Sequence, residues 1–564
     1  MRTSPTHEPN GVAPEIAPLP RDWTSIPRML RAQARARPDA EVLVGPDSRR
    51  TLAGLAREAS GLARAIIATG VRPGDRVAVM GPNSARWAAL AFAIWDAGAV
   101  LVPLSSRFKG FEAADLLRRT GARLLFATEH FLDTSFVRLI EEVSGGPAAG
   151  RAFADLPDLR RVVLMDATPE DPAAARSGVE SFDAFCARAD QVAADTAEDR
   201  ALSVLRGDLA EVLGTSGTTG APKGVMIHHA QLLRGYWDWS AVVGLGEDDR
   251  YPVIAPFSHG FGVNAGLLAG VMRAATLLPQ ARFDPARLME LIARERISVL
   301  AGPPTVFQRL LAALEQGGGW STKRRRDVPL LRVGICGAAS VPSELIRRLL
   351  ERGVVRRMIN AYGLIEGTVV SMTRERDAVD VIATSTGRPM PGVSVEIVDD
   401  DGVPLPTGRR GEIAIGGYGV MRGYWGDAER TAEAIDDAGR FRTGDIGVLD
   451  PTGNLSIVDR KKDMFICGGF NAYPAEIERL LLRHAGVAQA AVVGVPDARM
   501  GEVGHAYVVA GAGAELTPEA IVTWARNHMS NYKVPRRVVL VRALPTNPNG
   551  KVDKGELRRR AAAG

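Results

Sequence analysis

Cysteine is scarce in this sequence. Cys186, Cys336 and Cys467 are the only three in 564 residues, and no two form a CxxC pair. That spacing suggests neither a disulfide framework nor a zinc site. An excess of one charge is missing too: 70 basic against 65 acidic residues leave a net charge of +5. The charges are interspersed, so no nucleic-acid-binding arm is expected. The local cluster Lys323-Arg324-Arg325-Arg326, just after Gly317-Gly318-Gly319, reads as a solvated loop. Residues 1–22 are polar and proline-rich, with no apolar signal-peptide core, and read as a flexible lead-in. An unbroken membrane-length apolar run is also lacking. Residues 87–104 come nearest, but Asp96, Gly98 and Pro103 interrupt them. They read as a buried helix, a glycine stop and a buried strand over 100–102. A cytoplasmic chain without a transmembrane segment is expected, and no internal repeat is visible.

What is present is a large supply of core residues, 46% hydrophobic, on a chain too long for one typical domain. Sixty glycines argue for many turns and close backbone approaches. Short apolar runs at 76–80 (RVAVM), 123–127 (RLLFA), 162–165 (VVLM), 298–301 and 331–335 read as buried strands, and they alternate with helical stretches such as 112–119. Such alternation predicts an α/β fold of helix-covered, mainly parallel sheets. From about Ser394 the texture changes. Short strands at 395–398 and 411–415, with turn signals at Asp401-Gly402 and Thr452-Gly453, predict a β-rich subdomain. Beyond Asp459 a helix from Pro474, a strand near 490–495 and a helix from Thr517 predict a small α+β domain. The expected divisions are 1–22, a large domain over 23–459, a hinge at 460–462 and a mobile lid over 463–564.

The most informative segment follows the apolar lead-in at 211–213: Gly214-Thr215-Ser216-Gly217-Thr218-Thr219-Gly220-Ala221-Pro222-Lys223-Gly224. Glycines let backbone N–H groups turn inward on an anion. Hydroxyls add donors and Lys223 adds a cation. It is not a Walker A loop, because Pro222-Lys223-Gly224 stands where Gly-Lys-Ser/Thr is required.

This loop resembles the phosphate-loop signature of the adenylate-forming superfamily, which includes acyl-CoA synthetases, luciferases and peptide-synthetase adenylation domains. Four further segments resemble the family's motifs, in order: Asn360-Ala361-Tyr362-Gly363-Leu364-Ile365-Glu366, Phe441-Arg442-Thr443-Gly444-Asp445, the run from Asp459-Arg460-Lys461-Lys462-Asp463 through Gly468-Gly469-Phe470 to Glu478, and Pro545-Thr546-Asn547-Pro548-Asn549-Gly550-Lys551. The resemblance spans about 25–557 and looks closest to actinobacterial fatty-acyl or sterol-fragment acyl-CoA synthetases.

The resemblance implies an ATP-dependent ligase. It would join a hydrophobic carboxylic acid to AMP, releasing pyrophosphate, and pass the acyl group to coenzyme A. Thr215, Ser216, Gly217, Thr218, Thr219 and Lys223 would cradle the phosphates. Glu366 would hold magnesium, which prefers one or two carboxylates plus phosphate oxygens. Tyr362, in the segment with Asn360, Ala361 and Gly363, would lie against adenine, with Gly337, Ala338 and Ala339 close to the same ring. Asp445 would accept the ribose hydroxyls and Arg460 would add a sugar contact. Lys551 would bridge the acyl carboxylate and the α-phosphate. Lys462 maps to the hinge, and Gly468 and Gly469 to a pantetheine tunnel. His259, within Pro256-Phe257-Ser258-His259-Gly260-Phe261-Gly262, would gate the acyl site or touch its carboxylate. Gly302-Pro303-Pro304-Thr305-Val306-Phe307, together with Gly337 and Ile365, would form another, mainly apolar wall.

One position departs from the family pattern. Threonine is usual where this chain has Ile365, and that hydroxyl ordinarily reaches the α-phosphate. The acceptor stays open between coenzyme A, a carrier-protein pantetheine and a free amine, and a non-catalytic adenylate sensor is a further alternative. A homodimer is compatible with the reading.

Overall fold

The computed structural model describes residues 16–563 apart from 47, 133, 148–150, 169, 216–222, 316–330, 340, 468–469, 512 and 548–550. The basic cluster at 323–326 and the site positions Ser216, Gly217, Thr218, Thr219, Gly468 and Gly469 therefore lie outside the described residues.

Strands Arg76–Met80, Val100–Leu104, Leu124–Ala127 and Arg161–Leu164 form the centre of an eight-stranded sheet. Each is buried along nearly its whole length, as a strand covered on both faces must be. Pairing is parallel from Val179–Ser181 across to Leu209–Thr215. It then turns antiparallel for Lys223–His228 and Gly423–Tyr424. The sheet is therefore mixed, and its antiparallel edge holds the glycine- and hydroxyl-rich loop. That loop joins two hydrogen-bonded neighbours, with Thr215 opposite Lys223, rather than leading from a strand into a helix.

A second sheet has Val299–Gly302, Val333–Cys336 and Met358–Leu364 in parallel, followed by Thr368–Met372 and Arg388–Pro389 in antiparallel. A third sheet runs in the order Arg250–Val253, Thr276–Pro279, Glu41–Val44, Arg49–Thr51. The β-rich stretch is an antiparallel sheet of Val393–Val398, Gly411–Gly417, Phe441–Leu449 and Leu455–Arg460. Beyond it, Phe470–Ala472, Phe465–Cys467, Gly501–Ala510, Val487–Asp497 and Arg537–Leu540 make a separate sheet. Helices Pro474–Leu481 and Pro518–His528 cover it, around a core that includes Phe465, Ile477, Val492 and Ile521.

The apolar run at 87–104 resolves as read. Helix Ala85–Asp96 starts where the Ser84 side chain accepts from Trp87 N–H, and the strand Val100–Leu104 follows. Trp87 and Trp95 are fully buried, and Trp95 Nε1 donates to the Ala210 carbonyl at 2.9 Å. No described helix is long and apolar enough to cross a membrane. Of the segment read as a flexible lead-in, Ile16 and Leu19 pack against the main core, and the Ala17 carbonyl accepts from Trp237 Nε1 at 2.6 Å.

The charge in this buried helix is accounted for. Asp96 lies 2.9 Å from Arg31, which also binds Glu198. Burial pushes the Asp96 carboxyl up to about 6, against the pull of Arg31. Arg31→Met strands a buried carboxylate, and such a loss is typically worth about 3 kcal/mol of stability. Urea unfolding should show a smaller loss at pH 5 than at pH 8, because Asp96 takes up a proton at the lower pH.

Candidate active site

Three sheet ends converge on one cleft. The first is the antiparallel edge of the large sheet. Lys223 opens its strand with its ammonium 4.5 Å from the centroid of the Tyr424 ring, a cation–π distance. The Tyr424 hydroxyl, on the next strand, donates to Glu366 Oε1 at 3.4 Å. Burial raises the Glu366 carboxyl above its ordinary range, and Lys223 draws it back. Tyr424 thus sits between the cation and the carboxylate. The Met421 N–H, donating to the Glu366 carbonyl at 2.8 Å, fixes the backbone.

Glu366 is set by an unusual bend. Two residues on, Thr368 has φ of 56°, an outlier for a β-branched residue. The chain doubles back so closely that a Cβ on Gly363 would lie 2.5 Å from the Thr368 carbonyl oxygen. Ile365, the departure from the family pattern, is partly buried and packs against the main hydrophobic core.

The second edge is the sheet carrying Val333–Cys336 and Met358–Leu364. A Cβ on Gly337 would lie 2.7 Å from the Ala361 carbonyl oxygen, so glycine lets the two segments touch. Ala338 follows at φ of 63°, and Ala339 is exposed. Asn360 is buried. Its Nδ2 donates to the carbonyls of Ser385 at 2.8 Å and Ile382 at 3.2 Å, while Oδ1 is buried with no partner among the described residues. The Tyr362 hydroxyl donates to Asp445 Oδ2 at 2.6 Å.

Asp445 belongs to the third edge, the antiparallel β-sheet. It pairs across the ladder with Arg460, whose Nε lies 3.2 Å from Asp445 Oδ1. Asp445 is therefore no mere turn residue: it follows Gly444, whose φ is 69°, and is held at both oxygens. Burial and the adjacent carboxylate drive the Tyr362 phenol far above its ordinary range.

From the small C-terminal sheet's side comes Lys551. Its backbone N–H donates to Asn547 Oδ1 at 3.0 Å, and its carbonyl accepts from Asn547 N–H at 2.7 Å. These bonds tie Lys551 to Asn547 and fix its backbone. Water reaches the side chain, yet the cleft walls surround it and lower its pKa. Arg460 and Lys462 act in the same direction, while Asp445 and Glu366 oppose. Lys462 is likewise lowered, first by burial and then by Arg460.

His259 lies within electrostatic reach of Lys551. Its Nδ1 accepts from Phe261 N–H at 3.1 Å, which leaves the proton on Nε2. Burial, then Lys551, push the imidazole down to about 4, so it is neutral at physiological pH. Lys223, Arg460, Lys462 and Lys551 lie around the carboxylates Glu366 and Asp445, a grouping of cations suited to an anion.

The structure thus brings together Thr215, Lys223, Gly337, Ala338, Ala339, Asn360, Ala361, Tyr362, Gly363, Glu366, Asp445, Arg460, Lys462, Lys551 and His259. Sequence reasoning did not find Tyr424, which links Lys223 to Glu366, nor the bend at Thr368. A two-residue strand and a β-branched residue at positive φ carry no periodic signal.

Histidine-selective NMR titration checks the approach of Lys551 to His259. Removing the cation in Lys551→Ala should move the His259 transition upward from about 4. An unchanged transition would place Lys551 away from His259.

Known proteins share this architecture. The family model described as AMP-binding enzyme matches residues 30–425, and that of the AMP-binding enzyme C-terminal domain matches 476–551. A 3-[(3aS,4S,7aS)-7a-methyl-1,5-dioxo-octahydro-1H-inden-4-yl]propanoyl:CoA ligase of Mycobacterium tuberculosis is 42% identical, over 95% of this chain and 99% of its own. A feruloyl-CoA synthase of an Amycolatopsis species is 34% identical, over 94% and 97%. In fold, a crystal structure of an anthranilate CoA ligase in complex with anthranoyl-AMP superposes with a TM-score of 0.82 at 24% identity, covering 97% of this chain and 99% of that one. The chain belongs to the AMP-binding enzyme family, as an ATP-dependent acyl-CoA ligase that adenylates a carboxylic acid and passes the acyl group to coenzyme A.

Proposed function

We propose that the acid is a hydrophobic, ring-bearing propanoate related to the fused-ring dione named for the mycobacterial relative, and that the cleft performs the adenylation step as follows. The observation that carries the mechanism is that Lys551 lies within electrostatic reach of Asp445, Glu366 and His259 alike. Around it, groups suited to a nucleotide adjoin groups suited to an acid.

The loop from Thr215 through Ser216, Gly217, Thr218 and Thr219 to Lys223 holds the β- and γ-phosphates. Adenine lies between Tyr362 and the Gly337-Ala338-Ala339 backbone. The unpartnered Asn360 Oδ1 is an acceptor suited to the ring's exocyclic amine, since a buried acceptor without a donor is costly. Asp445, held by Tyr362 and Arg460, keeps lone pairs free for the ribose hydroxyls.

Magnesium fits beside Glu366. A single carboxylate next to Lys223 is what an ion otherwise held by phosphate oxygens requires. When bound, it neutralises charge on the phosphates.

The acid enters against residues 256–262, the Gly302-Pro303-Pro304 segment and Ile365. Phe257 is fully buried in this wall and Phe261 packs on the core. Ile365 therefore serves the apolar wall instead of donating to phosphate. Neutral His259 offers Nε2–H to the carboxylate without adding a proton to the balance. Lys551 lies between carboxylate and α-phosphate. A carboxylate oxygen attacks the α-phosphorus, the bond to the bridging oxygen breaks, and pyrophosphate leaves with the electron pair. In the second half-reaction the thiol sulfur attacks the acyl carbon and AMP leaves. Lys551 occupies part of that approach, so residues 463–564 rotate about 460–462, and Gly468 and Gly469 then line the path of the pantetheine arm.

A panel of hydrophobic acids with ATP and magnesium, with and without coenzyme A, tests the reading by pyrophosphate release and mass spectrometry. Ring-bearing propanoates should turn over at least tenfold faster than short linear acids, with acyl-CoA formed only when coenzyme A is present. A preference for short linear acids would overturn the substrate class. Acyl-AMP without thioester would shift the acceptor to a carrier protein or an amine.

A further inference from the structure

The phosphate-loop strand carries a fully buried carboxyl, Glu211, with no role in the mechanism above. Its Oε1 accepts from Asn264 Nδ2 at 2.7 Å, and Asn264 is buried as well. Asn264 lies in Val263–Leu268, a π-helical turn directly after the wall residues 256–262. Such turns are rare and are frequently found at functional sites. Tyr236, on helix His229–Val243, lies beside Asn264, which draws its phenol down against the effect of burial. Gly260, beside His259, covers the group: a Cβ there would lie 3.7 Å from Asn264 Nδ2 and 3.9 Å from the Tyr236 hydroxyl. One buried hydrogen bond thus spans from the strand that ends at Thr215 to the wall that ends at Gly262.

We propose that Glu211 and Asn264 form a strut between the phosphate-loop strand and the acyl-site wall, and that Glu211 is a positioning residue that sets where the acid's carboxylate meets the triphosphate. The proposal rests on the assignment of residues 256–262 to the acyl site. Adenylation demands such a link, because the reacting oxygen and phosphorus come from ligands held by two different elements, and small misplacements are costly in rate.

The pair also defines its own proton. Glu211 Oε2 and Asn264 Oδ1 are both buried acceptors without partners among the described residues, and a proton on the carboxyl turns one of them into a donor. Burial pushes Glu211 up to about 8, with the Asn264 hydrogen bond pulling down. The facing titratable group is Tyr236, itself raised by burial and by Glu211. The cross-strand neighbours Leu101 and Ile227 are apolar.

A carboxyl raised in this way stabilises the fold fully at low pH and loses that contribution as pH climbs toward 8. Glu211→Gln keeps one donor and one acceptor without titrating, whereas Glu211→Ala removes the strut. With the acid preferred in the panel, Glu211→Ala should lower kcat/KM for the acid at least tenfold and leave KM for ATP within twofold. Glu211→Gln should keep at least half of the wild-type kcat/KM and lose the decline that the wild type shows as pH passes 8. An Ala variant whose kcat and KM for the acid both stay near the wild-type values, or whose KM for ATP rises along with that for the acid, would mark mere packing and overturn the proposal. So would a Gln variant as impaired as the Ala variant.

Melting temperatures of wild type and Glu211→Gln from pH 6 to 9 decide the protonated strut without any turnover. The wild type should lose ground to the variant up to about pH 8 and then run level, and parallel curves throughout would overturn it. If no acid in the panel turns over, the proposed substrate class fails, and the melting curves still decide the strut.

Discussion

Two anions must touch for this chemistry to begin. Like unit charges 4 Å apart repel by about 4 kcal/mol in a protein-like dielectric, and a carboxylate approaching a triphosphate meets more than one. The cleft answers with cations on separate elements: Lys223 at the start of a strand of the large sheet, Arg460 on the β-rich sheet and Lys551 on a turn of the C-terminal region. The carboxylates among them are individually tied. Asp445 is held at both oxygens by Tyr362 and Arg460, and Glu366 is bound to Tyr424. Neutral His259 adds no further positive charge near Lys551.

The backbone carries the geometric side of the same constraint. Gly337 against Ala361, and Gly363 against Thr368, allow contacts that a Cβ would block. Ala338 and Thr368 sit at positive φ, a strain that persists only where surrounding structure over-determines it. Both flank the segment carrying Tyr362 and Glu366, so the strain lies where the carboxylate must be aimed. Sheet strands supply Lys223, Tyr362, Asp445 and Arg460, and Lys551 arrives on a separate turn, which suits the proposed departure of that lysine before the second half-reaction.

Much of this was legible in the residues. Strands read at 76–80, 123–127 and 162–165 form Arg76–Met80, Leu124–Ala127 and Arg161–Leu164, because short buried apolar runs have few other uses. The helix read over 112–119 forms as Gly110–Thr120. The antiparallel edge was not legible, since an apolar run does not reveal the direction of its neighbour. Tyr424 reaches Glu366 from 58 positions away, on a strand too short to show a period. Glu211 passed as part of an apolar lead-in, and only the packing shows its partner Asn264.

Lys551 ties the halves of the account together, because it should be needed where carboxylate meets phosphate and dispensable where thiol meets acyl carbon. The direct measurement compares the two half-reactions in Lys551→Ala: acid-dependent pyrophosphate release from ATP, and acyl-CoA formation from supplied acyl-AMP. Loss of the first by at least a hundredfold, equivalent to about 2.7 kcal/mol of transition-state stabilisation, with the second kept within about threefold, is the expected result. Equal loss of both would contradict a lid that serves the two steps in different positions.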